Sequence, residues 1–322
     1  MLFRGLLLIV LIGAWAYTAQ ARESINAGAI GNPNQNQVAL GASGPAVVRA
    51  QILLDRAHFS CGAIDGDFGS NLQKTVTAYQ NERQLPATGL VDAATWAALN
   101  TDQAPVLTTY TITPDDEKGP FIHAIPRDFE EQAKLPAMGY LSPLQELAER
   151  FHSSQELMQK LNPRANFAQV GQQLTVPNAI ILPPGQAASV TVSKSESSVR
   201  AYDGDGKLLA FYVATIGSEH DPLPVGDWTI SWVKHDPVFH YDAALFWDAH
   251  KPGVKVDVQP GPNNPVGLVW INLSKEHYGI HGTPDPTMVG HAASHGCIRL
   301  TNWDALELSS MIKPGTPAIL KE

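Results

Sequence analysis

The pairing of His281-Gly282 with Ser294-His295-Gly296-Cys297 constrains this chain more than any other feature. A thiol stands two residues after one histidine and sixteen after another, with a glycine beside each histidine. Gly279, Gly282, Pro284 and Pro286 break any helix that would align these groups, so strands and turns must carry them. The preceding sequence agrees. From Ala188 the chain alternates and is β-branched: Val190, Val192 and Val199 lead to Asp203-Gly204-Asp205-Gly206, a hairpin signal, and then to Leu208, Ala210 and Tyr212. Residues 227–233 and 268–273 are further strand-like runs. One short helix is predicted after Thr301, with Asp304 completing a cap-like pair and Gly315 ending the element. The pattern predicts a mainly-β sandwich over 188–322 in which a late hairpin presents Cys297.

Cysteine is a strong nucleophile only as thiolate, and a nearby imidazole can take its proton and later return it. A glycine just before the nucleophile lets the chain turn sharply and lets backbone N–H groups approach a developing oxyanion. In residue type, order and gap, His281-Gly282 and Ser294-His295-Gly296-Cys297 resemble the L,D-transpeptidase catalytic domain of the YkuD type. That resemblance implies a β-sandwich and a cysteine acyl-enzyme. Cys297 would attack the carbonyl of the third residue, usually meso-diaminopimelate, of a peptidoglycan tetrapeptide stem and expel the terminal D-alanine. A second diaminopimelate amine then gives a 3→3 cross-link, and water gives tripeptide.

The resemblance makes His281 the general acid/base. His295, Gly296 and the Cys297 N–H are the candidates for the oxyanion site, with a hydrogen bond that fixes the hairpin as the alternative for His295. Ser294, Arg299 and Thr283 are the substrate-side candidates. Ser294 is read as structural rather than nucleophilic. Arg299 either grips a substrate carboxylate or pairs with an acid of its own domain. Thr283, or backbone near Gly282, would orient the imidazole. No cofactor is implied. The rival chemistry is zinc, because His277 and His281, like His291 and His295, stand four apart with Cys297 close. The glycines and prolines between them, and the lack of a glutamate after the first histidine, argue against any metal. An L,D-carboxypeptidase using the same thioester, and a non-catalytic peptidoglycan-binding anchor, compete with the transpeptidase reading.

The rest of the chain reads as wall-directed modules. Arg4, the apolar run from Gly5 to Ala16 and Ala19-Gln20-Ala21 make a signal peptide over 1–21, cleaved after Ala21 or retained as a membrane anchor. This predicts an exported protein of the periplasm or cell wall. Residues 22–44, rich in Asn, Gly, Ala and Gln, are expected to be a flexible linker. Over 45–100, Val47, Val48, Ile52, Leu53, Val76 and Tyr79 fall at helix spacing around the glycine-dense turn Gly62-Ala63-Ile64-Asp65-Gly66-Asp67-Phe68-Gly69. With Leu85-Pro86-Ala87-Thr88-Gly89 and Thr95-Trp96, this segment resembles the small three-helix peptidoglycan-binding module. Asp65 and Asp67 are read as turn caps and Trp96 as core.

Residues 101–184 resemble a LysM α+β module: strand 110–114, helices opened by Ser142-Pro143 and by Ser153-Ser154, and a closing strand near 170–177. An insertion over 115–140 stands where that family has a short turn. Binding of N-acetylglucosamine chains is the family's implication, and a spacer bracing the catalytic domain is the alternative. The chain is therefore expected to be multidomain, its N-terminal modules raising local concentration at the polymer. The aromatic, proline-punctuated stretch 235–267 stands where the transpeptidase family carries a lid beside the cleft, with ordinary loop packing as the alternative. Peptidoglycan stems and glycan strands are the partners implied, with an outer-membrane protein as a further acceptor. A net charge of −9 leaves no basic footprint for nucleic acid. One cysteine pair in an exported protein would suggest a disulfide, but that would consume the nucleophile, so Cys61 and Cys297 are expected to be free.

Overall fold

A computed structural model of the chain describes residues 25–291, 294 and 296–322. The signal peptide expected over 1–21 lies outside the described residues, as does His295. Among the described residues no helix is long and apolar enough to cross a membrane.

The first described segment corrects the flexible-linker expectation. Within it α1 (Ala27–Gly31) is capped by Asn26, which accepts the Ala29 N–H, and Ile30 is fully buried. Val38 bridges to Val91, and the Arg49 guanidinium donates to the Ile30 and Gly31 carbonyls. The few apolar residues have no period, so no element was legible, yet they close the open end of the helices that follow. Those are α2 (Pro45–Arg56), then β1 (Phe59–Ser60), α3 (Ser70–Glu82) and α4 (Ala93–Leu99). Pro45 opens α2 at its first turn, and Asp92 caps α4 by accepting the Thr95 N–H. Trp96 is buried, its Nε1 donating to Asn36 O at 3.0 Å, and Asp65 accepts from Gln51 Nε2 and Asp67 N. Trp96 is core as expected, and Asp65 caps its turn.

The middle segment runs β2 (Leu107–Thr111), α5 (Pro114–Lys118), α6 (Phe129–Gln132), α7 (Pro143–Arg150), α8 (Gln155–Leu161) and β3 (Gln173–Pro177), with β2 and β3 antiparallel. Ser142 and Ser154 cap α7 and α8 through the N–H groups of Gln145 and Leu157. Ile112, Leu147, Phe151, Met158 and Leu174 fill a small core of their own. The insertion leaves this core and crosses to the C-terminal part. Met138 N donates to Pro260 O at 2.9 Å, Asn263 N donates back to Met138 O at 3.0 Å, and the Phe129 ring lies 4.3 Å from that of Tyr241.

The C-terminal part contains β4 (Ser189–Ser193), β5 (Ser198–Tyr202), β6 (Leu208–Val213), β7 (Gly226–His235), β8 (Phe239–Asp242), β9 (Lys255–Val258), β10 (Val269–Leu273), β11 (Gly279–His281), β12 (Ile298–Arg299), α9 (Asn302–Met311) and β13 (Pro317–Lys321). Asp203–Gly206 turns β5 into β6 as expected, with Gly206 at φ +79°. The sandwich expectation needs refinement: one nine-stranded sheet, ordered β1-β6-β5-β4-β13-β7-β10-β11-β12, curls over its own core. The long strand β7 makes the corner, pairing with β13 through 226–229 and with β10 through 230–235. Ile230, Ile271, Ile280, Ile298, Leu308 and Leu320 meet inside.

Two further expectations change. β11 and β12 are parallel neighbours, so Cys297 does not sit on a hairpin; residues 282–297 form the crossover that a parallel pair requires. The helix after Thr301 is present with its cap-like pair: Thr301 accepts the Asp304 N–H, and the Asp304 carboxylate meets the Thr301 side chain and also accepts from Ser60 Oγ; what changes is the end of the element. α9 stops at Met311, and Gly315, at φ +89°, serves the turn into β13.

The modules share packing. β1 pairs in parallel with β6, and Phe59, Leu72, Val76 and Tyr79 join Phe211, Val213 and Val289 in one core. The helical module is thus fused to one edge of the catalytic sheet.

Candidate active site

β11 and β12 align Ile280 with Ile298 and His281 with Arg299. Both isoleucines enter the core, so strand alternation sends Gly279, His281, Cys297 and Arg299 to the other face. Thr215 exchanges backbone hydrogen bonds with Arg299 at 3.0 and 2.9 Å and fixes β12 from its second side. Gly296 has φ +96°, and a Cβ there would stand 2.8 Å from the Tyr278 ring. Conformation and close approach therefore both demand glycine before the thiol.

Cys297 is half-buried, and its Sγ lies 3.9 Å from the His277 carbonyl. Burial pushes the thiol upward, while the Gly279 backbone N–H on the sulfur and the Arg299 charge work against that rise. Ser294 is buried and donates to Cys297 O at 2.5 Å, so its hydroxyl braces the turn at Cys297. Cys61 is buried, and both cysteines are free.

His281 is buried and stacks on Trp270, its partner across β10, with centroids 5.4 Å apart and planes 13° apart. Its Nδ1 lies 2.6 Å from Gly282 O. A carbonyl only accepts, so Nδ1 carries the proton and Nε2 keeps a lone pair. Burial and then the Arg299 charge push this imidazole down to about 3, so it is neutral at physiological pH. Of the two orienting groups proposed, the backbone at Gly282 does the work; the Thr283 hydroxyl instead accepts from Asp285 N at 3.3 Å.

Arg299 lies close enough to act on both groups, and burial lowers its own pKa. Among the described residues no carboxylate pairs with it, and its buried Nε has no acceptor. Of its two expected roles, the internal ion pair is therefore not the one seen. Among the described residues no three His, Cys, Asp or Glu side chains gather as a metal-ligand set.

The sequence reading missed Trp270, Tyr278 and the part Gly279 plays. A Cβ on Gly279 would come within 2.7 Å of Trp270, so this glycine admits the ring that stacks on His281. Position 279 counted only as a helix breaker, and nothing local marks its closeness to residue 270. The stretch 235–267 folds its ends into the β8–β9 pair, and its exposed tip residue Trp247 stacks on His220 at 4.5 Å and donates to Asp221 Oδ2 at 2.9 Å. The turn carrying His220 and Asp221 begins at Gly217, which bridges to Ser294.

Residues 187–320 match the family model of the L,D-transpeptidase catalytic domain, and residues 43–99 match that of a peptidoglycan binding domain. The chain is 33% identical over 175 residues to a Bacillus licheniformis protein named as an L,D-transpeptidase, YkuD, an alignment covering 54% of this chain and 90% of that one. It is 29% identical over 180 residues to an Escherichia coli protein named as an L,D-transpeptidase, ErfK/SrfK, covering 54% of this chain and 57% of that one. A solved L,D-transpeptidase from Xylanimonas cellulosilytica aligns with 90% of this chain and 99% of its own at 18% identity, with a TM-score of 0.38, too low to bear on the argument. Because the Bacillus alignment runs nearly the whole length of that relative, and the family model spans both His281 and Cys297, the chain belongs to the L,D-transpeptidase family, with a catalytic domain of the YkuD type.

Proposed function

We propose that this protein acts in peptidoglycan metabolism through a thioester on Cys297. The carrying observation is a neutral imidazole with a free Nε2 lone pair on the same sheet face as a half-exposed thiol that also faces Gly279 N–H and the Arg299 cation. The Cys297 thiol gives its proton to His281 as Sγ bonds to the carbonyl carbon of the third stem residue. The Gly296 and Cys297 N–H groups, with His295, receive the oxyanion. When the carbonyl re-forms, the bond to D-alanine breaks and His281 returns the proton to the departing amine. The side-chain amine of a second diaminopimelate then attacks the thioester, loses a proton to His281 and releases the thiol. The product is a 3→3 cross-link. An amine on an outer-membrane protein would follow the same path, and water would give tripeptide.

The acceptor half-reaction needs water kept out, and the 235–267 stretch is suited to that as a lid reaching the site through Trp247 and the 217–223 turn. Arg299, with no carboxylate of its own among the described residues, is suited to a stem carboxylate. The strand-helix-helix-strand order of β2, α7, α8 and β3 supports reading 101–184 as LysM-like, with 115–140 added as a brace. A polymeric wall substrate and the leader read at 1–21 together favour an exported location, in the periplasm or cell wall. The test is the mass spectrum of products from defined disaccharide-tetrapeptides. Loss of D-alanine with a new dimer mass supports the reading; tripeptide alone turns it into an L,D-carboxypeptidase. An unchanged substrate overturns it.

A further inference from the structure

The segment leading to the nucleophile is gripped from two sides by parts of the chain remote in sequence. On the catalytic side, Thr215 donates its hydroxyl to Met288 O at 3.2 Å and accepts the Gly290 N–H at 2.9 Å. On the opposite side, Asn71 in the first turn of α3 donates from Nδ2 to Val289 O at 2.8 Å and meets His291 Nε2 at 3.2 Å. Val289 is buried in the core of the helical module, not in that of the catalytic sheet. Gly290 is left-handed at φ +76°, and a Cβ there would come within 2.4 Å of Asn71 Oδ1. Asn71 is itself buried, and its Oδ1 accepts no hydrogen bond among the described residues. A surface asparagine would turn that oxygen to water; here the amide is committed to the loop instead.

We propose that Asn71 is a positioning residue: the first turn of α3 fixes residues 288–291 and, through them, the turn that presents Cys297. The helical module is then part of the catalytic unit, besides anything it does on the polymer. This rests on the thiol chemistry proposed above. Gly290 and Gly296 accept a positive φ without imposing it, so the contacts around them decide the backbone course at those positions. Asn71 and Thr215 hold the approach, Gly217 bridges to Ser294, and Ser294 holds Cys297 O. A cleft of about 340 Å³, lined by Asp65, Asn71, Glu156, Lys160, Thr287 and His291, opens beside this contact. Displacing a reacting group by about 1 Å can cost on the order of 10²-fold in rate.

The experiment uses the full chain and the variants Asn71→Ala, Asn71→Asp and Thr215→Val. Asn71→Asp keeps the shape and removes the donor; Thr215→Val removes the hydroxyl on the other side. Three assays are run: kcat and KM on a soluble disaccharide-tetrapeptide, binding in a sacculus pull-down, and the rate of Cys297 alkylation by iodoacetamide against pH, followed by peptide mass. Both Asn71 variants should lose about 10- to 100-fold in kcat at nearly unchanged KM and sacculus binding, and should shift the alkylation profile. Thr215→Val should give the same signature. The proposal is overturned if kcat and the alkylation profile of both Asn71 variants stay within about twofold of wild type, or if the defect appears in KM alone. A wild-type protein that alkylates at Cys297 but turns over no tetrapeptide sinks the proposed function instead, and the alkylation arm still decides this inference.

Discussion

Cys61 follows β1 into the core of the helical module, whereas Cys297 stands half-exposed where the crossover enters β12. Both thiols are pushed upward by burial. Around Cys61 the charges add to the effect, because Asp65, Asp55 and Asp304 all oppose a thiolate. Around Cys297 they subtract from it, because the Gly279 N–H and the Arg299 guanidinium favour one. Burial alone silences a cysteine; the sign of what surrounds it decides whether it can be roused. The contrast is between three carboxylates drawn from two modules and one guanidinium on the strand that follows Cys297.

The sharpest break of that comparison is a pair of alanine variants. Cys297→Ala should lower product formation by at least about 10³-fold, while Cys61→Ala should leave kcat within about twofold and cost about 1 kcal/mol in urea unfolding. Comparable losses of activity in the two variants would dissolve the distinction.

His281→Ala comes next. It should slow acylation by about 10²–10⁴-fold, with partial recovery at alkaline pH as the thiol ionises without its base. In the wild type, an imidazole held down to about 3 is already neutral far below the ordinary 6.5. The acid limb of kcat/KM should therefore be missing around pH 6.5, and a clear imidazole limb there would refute the burial argument. Linkage gives the same group a second signature. Its folded pKa is depressed, so its contribution to stability is present above about 6.5 and is lost as pH falls towards about 3.

Arg299→Met keeps much of the volume and removes the charge. The Cys297 alkylation profile should move to higher pH, with a rate about tenfold lower at a fixed pH near 8. An unmoved profile would mean that the guanidinium is not what separates Cys297 from Cys61.

The smallest effect is expected at Asp304, one of the carboxylates facing Cys61. Burial, then Asp55, pushes it up to about 8. Its folded pKa is raised, so its contribution to stability is full below the ordinary 3.8 and is lost as pH rises through about 8. Asp304→Asn should flatten that part of the stability–pH curve measured by urea unfolding. Retention of the wild-type slope would show that another group carries it.

Much of the site was legible because its signals are local. Gly296 announces a turn, Asp203–Gly206 a hairpin and Thr301 a helix start, each through geometry set within a few residues. The curl of the sheet was not legible, since β7 changes partners along a run whose own pattern does not say where. Nor was the parallel pairing of β11 and β12, because a loop of glycines and prolines between short strands leaves their relative direction open. The order in residues 27–31 was missed for a related reason: one buried isoleucine has no periodicity.

By itself the sequence determined which groups exist and what local backbone each can adopt: the thiol, the imidazole, the glycines that let them turn, and the caps that start helices. Only the tertiary structure decided how those groups behave. Trp270 beneath His281, Arg299 beside both His281 and Cys297, and Asn71 against Val289 each join segments that no spacing relates. The physical reason is range. Turn and cap preferences are settled by torsions and hydrogen bonds between near neighbours. The protonation of a buried group depends on desolvation and on charges delivered by whichever distant strand or helix packs against it.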